Sequence, residues 1–312
     1  MQTFYDLNFN TKSEGEVSTC PLFADLSLAF GFFDGVHLGH QAVVNSAVDF
    51  ARKLNTKSAV VTFQDHPCCF FYDLKPKYII KRSDKIKMFE KLGVDYLFML
   101  NFDKNLAQMS AEDYLQNIIV KNFKPKAIST GFNHFFGAKK MGNVDYLREM
   151  QKTYGYKFFE VQPLSVNGEI VSSTTIRNNI SEGNIQAVSS MLGYEYFLED
   201  KVLHGKEIGR TIGFRTANLV YPENLVDVAN GVYKVEVIYD GKKYAGMANY
   251  GVKPTVTDEN KKILEVHILD FDEDIYGKKI KVIFKQKIRE ERKFGSLDEL
   301  KAQIKSDIAN CK

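Results

Sequence analysis

The stretch Leu26-Ser-Leu-Ala-Phe-Gly-Phe-Phe-Asp-Gly-Val-His-Leu-Gly-His40 decides how this chain is read. Leu26–Phe30 is a short apolar run stopped by glycine, the pattern of a buried strand, and Gln41 to Leu54 carries apolar residues at helical spacing. Between them Gly31, Gly35 and Gly39 let the backbone approach a ligand closely. A strand, a glycine turn and a helix in that order offer helix N-terminal N–H groups to phosphate. His37 and His40 stand beside that helix start, where imidazoles can hydrogen-bond the oxygens of a reacting phosphoryl group. The pattern predicts transfer of a nucleotidyl group. It makes His37 and His40 the catalytic candidates, with Gly31, Phe33, Asp34, Gly35 and Gly39 in the phosphate loop.

Downstream, apolar runs alternate with amphipathic stretches: Ser58–Phe63, Asp84 to Leu92, Tyr96–Leu100, Ala111 to Val120 and Ala127–Thr130. That alternation predicts an α/β domain, a parallel sheet with helices on both faces. After about Asp200 the texture changes. The runs Val232–Tyr239, Lys242–Asn249, Leu264–Leu269 and Lys279–Phe284 are divided by turn residues such as Asp240-Gly241, which predicts a small antiparallel β-barrel. Ser173 to Leu192 reads as helix joining the halves, and Ser296 with Glu299 at capping-box spacing opens a terminal helix to Ile308. Domains are expected over residues 1–185 and 186–312.

Three segments extend the opening loop. Val61-Thr-Phe-Gln-Asp-His66-Pro67 puts a histidine and a proline-fixed turn at the C-terminal end of a strand, where open parallel sheets bind ligands. Gly131-Phe-Asn133-His-Phe-Phe136-Gly137 follows the predicted strand Ala127–Thr130. Ser173-Thr174-Thr-Ile-Arg177 supplies hydroxyls and a forked cation suited to phosphates. The opening run resembles the GxFDGxHxGH signature of the nucleotidyltransferase superfamily. In particular it resembles the flavin-adenylylating module of bacterial bifunctional riboflavin kinase/FMN adenylyltransferases, also called FAD synthetases. The other three segments resemble that family's TFxPHP, GxDFxFG and ISSTxIR motifs. The resemblance implies a Rossmann-like nucleotidyltransferase domain that adenylylates FMN with ATP. It implies that Ser173, Thr174 and Arg177 hold phosphate, and that His66, Pro67, Asn133 and Phe136 line the flavin pocket. Phe32 stands where the family usually has Asn, Gln64 and Asp65 where it has Glu and Pro, and Phe135 at a position often held by Arg.

In the second half, His204-Gly205-Lys-Glu-Ile-Gly209-Arg210-Thr-Ile-Gly213-Phe-Arg215-Thr216-Ala-Asn218 combines glycines that can wrap phosphates with oxygen donors suited to Mg²⁺. It resembles the HGxxxGRxxGFPTANL region of riboflavin kinases, with Arg215 in place of proline. Gly231-Val-Tyr233, Met247 to Thr255, Glu265 to Phe271 and Ile275-Tyr-Gly277 agree with it in order. This implies ATP-dependent phosphorylation of riboflavin, with Glu265 as general base and Thr216 and Asn218 as metal ligands. It also implies that Gly205, Gly209, Arg210 and Gly213 bind nucleotide and that Arg289 and Phe294 bind flavin. A carboxylate beside a primary alcohol and Mg-ATP is what such a transfer needs. The expectation is a bifunctional, Mg²⁺-dependent enzyme that uses riboflavin, FMN and ATP and serves apoflavoproteins as recipients. The substitutions open an alternative, a chain that keeps one activity while its other domain is degenerate.

Composition narrows the class. In 312 residues the net charge is +3, with 21 Lys and Arg against 19 Asp and Glu up to Glu182, so neither half has the imbalance of a nucleic-acid binder. The basic spacing Lys81, Arg82, Lys85, Lys87 and Lys91 reads as the solvated face of a helix. No apolar run reaches the roughly 18 residues of a membrane span, and the N-terminus lacks a signal core, which predicts a cytoplasmic protein. Cys20, Cys68, Cys69 and Cys311 form no metal or disulfide framework and are expected as free thiols.

Overall fold

Apolar runs with no polar alternation can be satisfied only between two covering layers. The computed structural model, which describes residues 1–5, 25–72, 75–204, 214–252 and 262–311, places them in that way. The chain divides into two units, residues 1–76 with 80–172, and residues 77–79 with 173–312.

The first unit is built on six parallel strands: β1 (Gln2–Tyr5), β2 (Leu26–Phe30), β3 (Lys57–Phe63), β4 (Tyr96–Leu100), β5 (Ala127–Gly131) and β6 (Lys157–Val161). Their order is β1-β4-β3-β2-β5-β6. The chain therefore winds outward from β2 in one direction through β3 and β4, then returns to the other side of β2 with β5. The crevice beyond the C-terminal ends of β2 and β5 is the topological switch point, where such sheets bind ligands. Both Gly31 and Gly131 lead into it.

Helices α1 (Leu38–Leu54), α2 (Cys68–Tyr72), α3 (Arg82–Lys91), α4 (Lys104–Gln108), α5 (Ala111–Asp113), α6 (Lys121–Phe123) and α7 (Val144–Tyr154) complete the unit, with a short hairpin of β7 (Ser165–Val166) and β8 (Glu169–Ile170). Helix α1 turns Val43, Val44, Ala47, Val48 and Ala51 inward and packs on β2, β3 and β5. The segment predicted as one helix from Ala111 to Val120 is α5 followed by a π-helical stretch, Tyr114–Val120. The wider turn buries Tyr114 and Leu115 in a core shared with Phe4, Leu28, Phe98 and Phe123.

In the second unit the predicted joining helix is two, α8 (Ser173–Glu182) and α9 (Ile185–Leu192). Gly183, at φ 82°, makes the break, since a left-handed residue ends a helix and glycine adopts it without steric cost. Six strands follow: β9 (Phe197–Lys201), β10 (Ala217–Val220), β11 (Gly231–Tyr239), β12 (Lys242–Val252), β13 (Lys262–Ile268) and β14 (Lys279–Arg289). They pair antiparallel in the order β10-β13-β12-β11-β14-β9, and a bridge from Leu203 to Asn218 draws the two edges together into a near-barrel.

Its core holds four fully buried tyrosines, Tyr196, Tyr221, Tyr233 and Tyr250. Each phenol is provided for: Tyr196 donates to Tyr221, Tyr221 to the Val226 carbonyl at 2.8 Å, Tyr233 to the Ala229 carbonyl and Tyr250 to Asp227 at 2.9 Å. Buried hydroxyls without such partners would be costly. The terminal helix α10 (Leu297–Cys311) begins with the expected cap: Ser296 Oγ accepts the Glu299 amide. Glu299 in turn reaches back to the Gly295 amide, one residue earlier than a capping box requires.

Residues 77–79 pack with this second unit although the chain on either side belongs to the first. Tyr78 bridges Leu225, its N–H donating to the Asn224 carbonyl at 2.7 Å and its carbonyl accepting from Val226 at 2.8 Å. Ile79 is completely buried. Cys68 and Cys69 are half-buried at the start of α2, Cys311 is buried at the end of α10, and Cys20 lies outside the described residues.

Candidate active sites

The opening loop leaves β2 at the switch point and is wound tightly. Phe33, Gly35 and Val36 all take positive φ, at 58°, 79° and 38°. A side chain on Gly31 would meet the Phe33 ring at 2.8 Å, so the glycine there is demanded by close approach. Phe33, Asp34 and Val36 are buried. His37 is the N-cap of α1, its Nδ1 accepting the His40 amide at 3.3 Å, which puts the proton of the neutral ring on Nε2. The two imidazoles are stacked with centroids 3.5 Å apart, and the Phe33 ring stands edge-on to His40. Gln41 donates to the Val36 carbonyl at 2.9 Å and closes the loop onto the helix. Gly39 lies in the first turn of α1 against the His37 ring. The structure thus gathers His37, His40, Gly31, Phe33, Asp34, Gly35 and Gly39 at one helix start.

Around that loop stand groups the sequence reading did not single out. The Phe32 carbonyl accepts from both Thr62 Oγ1 and Lys85 Nζ, each at 3.1 Å. Lys85, expected on a solvated face, is only 6% exposed and lies 4.5 Å from the centre of the Phe32 ring. The reading failed because helix periodicity carries no information about the neighbouring loop that covers this turn. Desolvation pushes the Lys85 ammonium down to about 8, against the opposing pull of Asp34.

His66 sits edge-on to Phe32 with centroids 4.7 Å apart, and its Nδ1 accepts the Cys68 amide at 3.1 Å, so Pro67 and α2 are turned by the histidine itself. The unusual Gln64 and Asp65 are both held by Arg82, through the Gln64 carbonyl at 2.7 Å and the Asp65 carboxylate at 2.8 Å.

The expected flavin-pocket residues after β5 part company. Asn133 is exposed, while Phe136 is buried in the core against Tyr114 and Tyr146. His134 lies between Phe30 and Phe136, and loss of water pushes its imidazole down to about 4, so it is neutral at physiological pH.

Ser173, Thr174 and Arg177 open α8 in the second unit. Thr174 is exposed, Ser173 and Arg177 are half-buried, and Arg177 Nε donates to the Lys77 carbonyl at 3.1 Å.

On the barrel, strand register brings the kinase candidates together. Asn218 and Glu265 are direct partners across β10 and β13, and Asn249 is the partner of Glu265 on β12. Directly opposed residues share a face, so both amides flank the carboxylate. Thr216 immediately precedes β10. Thr216 and Asn218 line a cavity of about 290 Å³ with Arg215, Asp272, Ile275 and Tyr276. Glu265 does not line that cavity. Arg215 pairs with Asp272, and its carbonyl accepts from His267 Nδ1 at 2.7 Å. Gly205, Gly209, Arg210 and Gly213 lie outside the described residues.

The two expected flavin residues near the C-terminus stay together, with the Arg289 guanidinium 5.8 Å from the centre of the Phe294 ring. Arg289 is committed to α10: Nε and Nη2 donate to the fully buried Asp307 at 3.0 and 2.8 Å, and Nη1 to the Glu290 carbonyl. Phe294 is half-buried beside Arg292 and lines a groove along α10.

Among the described residues no group of three or more His, Cys, Asp and Glu could hold a metal ion. A divalent cation here would draw its oxygens from Thr216, Asn218 and bound phosphates, a donor set that suits Mg²⁺.

Comparison with known proteins agrees with this division of labour. Residues 22–175 match the FAD synthetase family model, and residues 192–312 match the riboflavin kinase model. The bifunctional riboflavin kinase/FMN adenylyltransferase of Escherichia coli K12 is 37% identical over 282 residues, 90% of each chain. That of Haemophilus influenzae is 36% identical, covering 92% of this chain and 93% of its own. A solved structure described as a macrolide-efflux protein from Streptococcus pneumoniae superposes with a TM-score of 0.86 at 32% identity, over 99% of this chain and 98% of that one. On these grounds the chain belongs to the bifunctional riboflavin kinase/FMN adenylyltransferase family.

Proposed function

We propose that this chain phosphorylates riboflavin to FMN and adenylylates FMN to FAD, each with ATP. The observation that carries the reading is the presence on one chain of the stacked His37–His40 pair at a helix start and the Glu265–Asn218 pair on a barrel strand. Family and relatives support both activities. In the adenylylation a phosphate oxygen of FMN forms a bond to the α-phosphorus of ATP as the bond to pyrophosphate breaks. The work of the protein is positioning and charge stabilisation. His37 Nε2–H and His40 would bond the α-phosphate oxygens, and the N–H groups of α1 face the same charge. Ser173, Thr174 and Arg177 are assigned to the departing pyrophosphate. In this reading residues 1–185 carry adenylylation and residues 186–312 the kinase step.

In the kinase step Glu265 takes the proton of the riboflavin 5′-hydroxyl as that oxygen bonds to the γ-phosphorus and the bond from γ-phosphorus to the β–γ bridging oxygen breaks, releasing ADP. Thr216 and Asn218 would hold Mg²⁺, which neutralises phosphate charge when bound. Arg289 and Phe294 are assigned to flavin, with Arg289 held in place by Asp307 of α10. The expected recipients of product are apoflavoproteins in the cytoplasm. Among the described residues no helix is long and apolar enough to cross a membrane.

The test is incubation of the purified chain with riboflavin, ATP and Mg²⁺, and separately with FMN, ATP and Mg²⁺, with the flavins resolved by chromatography. FMN from the first mixture and FAD from the second are expected. Absence of one product would favour a chain with a single activity.

A further inference from the structure

We propose that Lys85 is a positioning residue for FMN adenylylation: bonded to the Phe32 carbonyl and seated on the Phe32 ring, its ammonium fixes the loop that delivers His37 and His40 to the reacting phosphates. The inference rests on the adenylylation reading above.

Three observations support it. The loop contains positive φ at Phe33, Gly35 and Val36, and Val36, with a branched side chain at φ 38°, occupies a conformation that persists only when its surroundings impose it. Two side chains from other elements, Thr62 of β3 and Lys85 of α3, converge on the carbonyl that begins this turn. Lys85 is buried, and a lysine that gives up water needs a reason to keep its charge. The Phe32 ring 4.5 Å away supplies part of that reason, a cation–π contact that the Asn usual at position 32 could not make.

The charged groups facing the ammonium are Asp34 in the loop, Asp65 after β3 and Arg82 one turn earlier on α3, and His66 reaches it through Phe32. Asp34 and Asp65 favour the charged form, Arg82 opposes it, and desolvation dominates, leaving the amine near 8. The cation is therefore present at neutral pH and lost as pH rises through about 8. Adenylylation should fall over that interval, while riboflavin phosphorylation on the other unit should not follow it.

The experiment measures FAD from FMN, ATP and Mg²⁺ between about pH 6.5 and 9.5, a window centred near the Lys85 transition, with riboflavin phosphorylation by the same preparations as control. Lys85→Met should lower kcat for adenylylation by about tenfold to a hundredfold, the scale of a misplaced catalytic group, and leave phosphorylation and melting temperature near those of the parent. Lys85→Arg keeps a permanent cation and should restore much of the rate without the alkaline fall. Phe32→Leu removes the ring but leaves the carbonyl bond, and should move the fall to lower pH. Parental adenylylation in Lys85→Met, or an alkaline fall that persists in Lys85→Arg, overturns the proposal. Absence of FAD from the parent chain itself at every pH would instead overturn the adenylylation reading.

Discussion

The imidazoles of His37 and His40 lie nearly parallel, 18° apart in plane and 3.5 Å apart in centroid, with the ring of the first accepting the amide of the second. His37 thus does two jobs, capping α1 and facing the phosphate loop. Substitutions that separate the jobs should have different effects. His37→Asn retains a capping acceptor and should melt like the parent, while His37→Ala should lose about 1 kcal/mol of stability. Both should lower FAD formation about a hundredfold or more and leave FMN formation intact, as read by flavin chromatography.

Glu265 is flanked on both neighbouring strands by amides, Asn218 and Asn249, with which its carboxamide can still bond after substitution. Glu265→Gln should therefore fold normally. It should reduce riboflavin phosphorylation by about 10²–10⁴ without changing FAD formation from supplied FMN. Equal loss of both activities would contradict the assignment of Glu265 to the kinase step.

Arg289 and Asp307 join β14 to α10 through a two-pronged ion pair, with Gln303 donating to the same carboxylate at 2.7 Å. Removing one partner leaves the other charged group unpaired in a largely buried place. Asp307→Asn should cost about 3 kcal/mol of stability in urea unfolding. A direct flavin contact by Arg289 would show the opposite pattern, a raised riboflavin KM with unchanged unfolding.

Asp95 accepts from Lys57 Nζ, the Ser58 amide and the Ser58 hydroxyl, at 2.9, 2.9 and 2.8 Å. Partial burial pushes its carboxyl up, but the hydrogen bonds from Lys57 and Ser58 together outweigh it and hold the group below its usual value of 3.8. A folded-state value below the unfolded one means stability present above about pH 4 and lost as pH falls through the folded value. Asp95→Asn should lower the melting temperature at pH 7, and the gap to the parent should close on acidification below pH 4. A gap independent of pH would mean that the carboxylate charge contributes nothing.

The central strands were legible because burial on both faces writes an unbroken apolar run, and β2 runs from Leu26 to Phe30 as read. Edge strands write no such signal. In β6, Lys157–Val161, no residue is fully buried, and neither it nor the four-residue β1 stands out from its flanks. The loop histidines were legible from glycine spacing. The partners of that loop were not, because Thr62 and Lys85 reach it from elements 30 and 53 residues away in sequence. For the same reason the pairing of Arg289 with Asp307, 18 residues on, was not legible.

The three residues from Lys77 to Ile79 change what it means to divide this chain. A cut between Ser172 and Ser173 yields a C-terminal fragment without the two backbone hydrogen bonds of Tyr78 and without the buried side chain of Ile79. The N-terminal fragment would carry those residues with nothing to receive them. Division at that point therefore removes native contacts of the second unit, two backbone hydrogen bonds and one buried side chain, and not a linker alone.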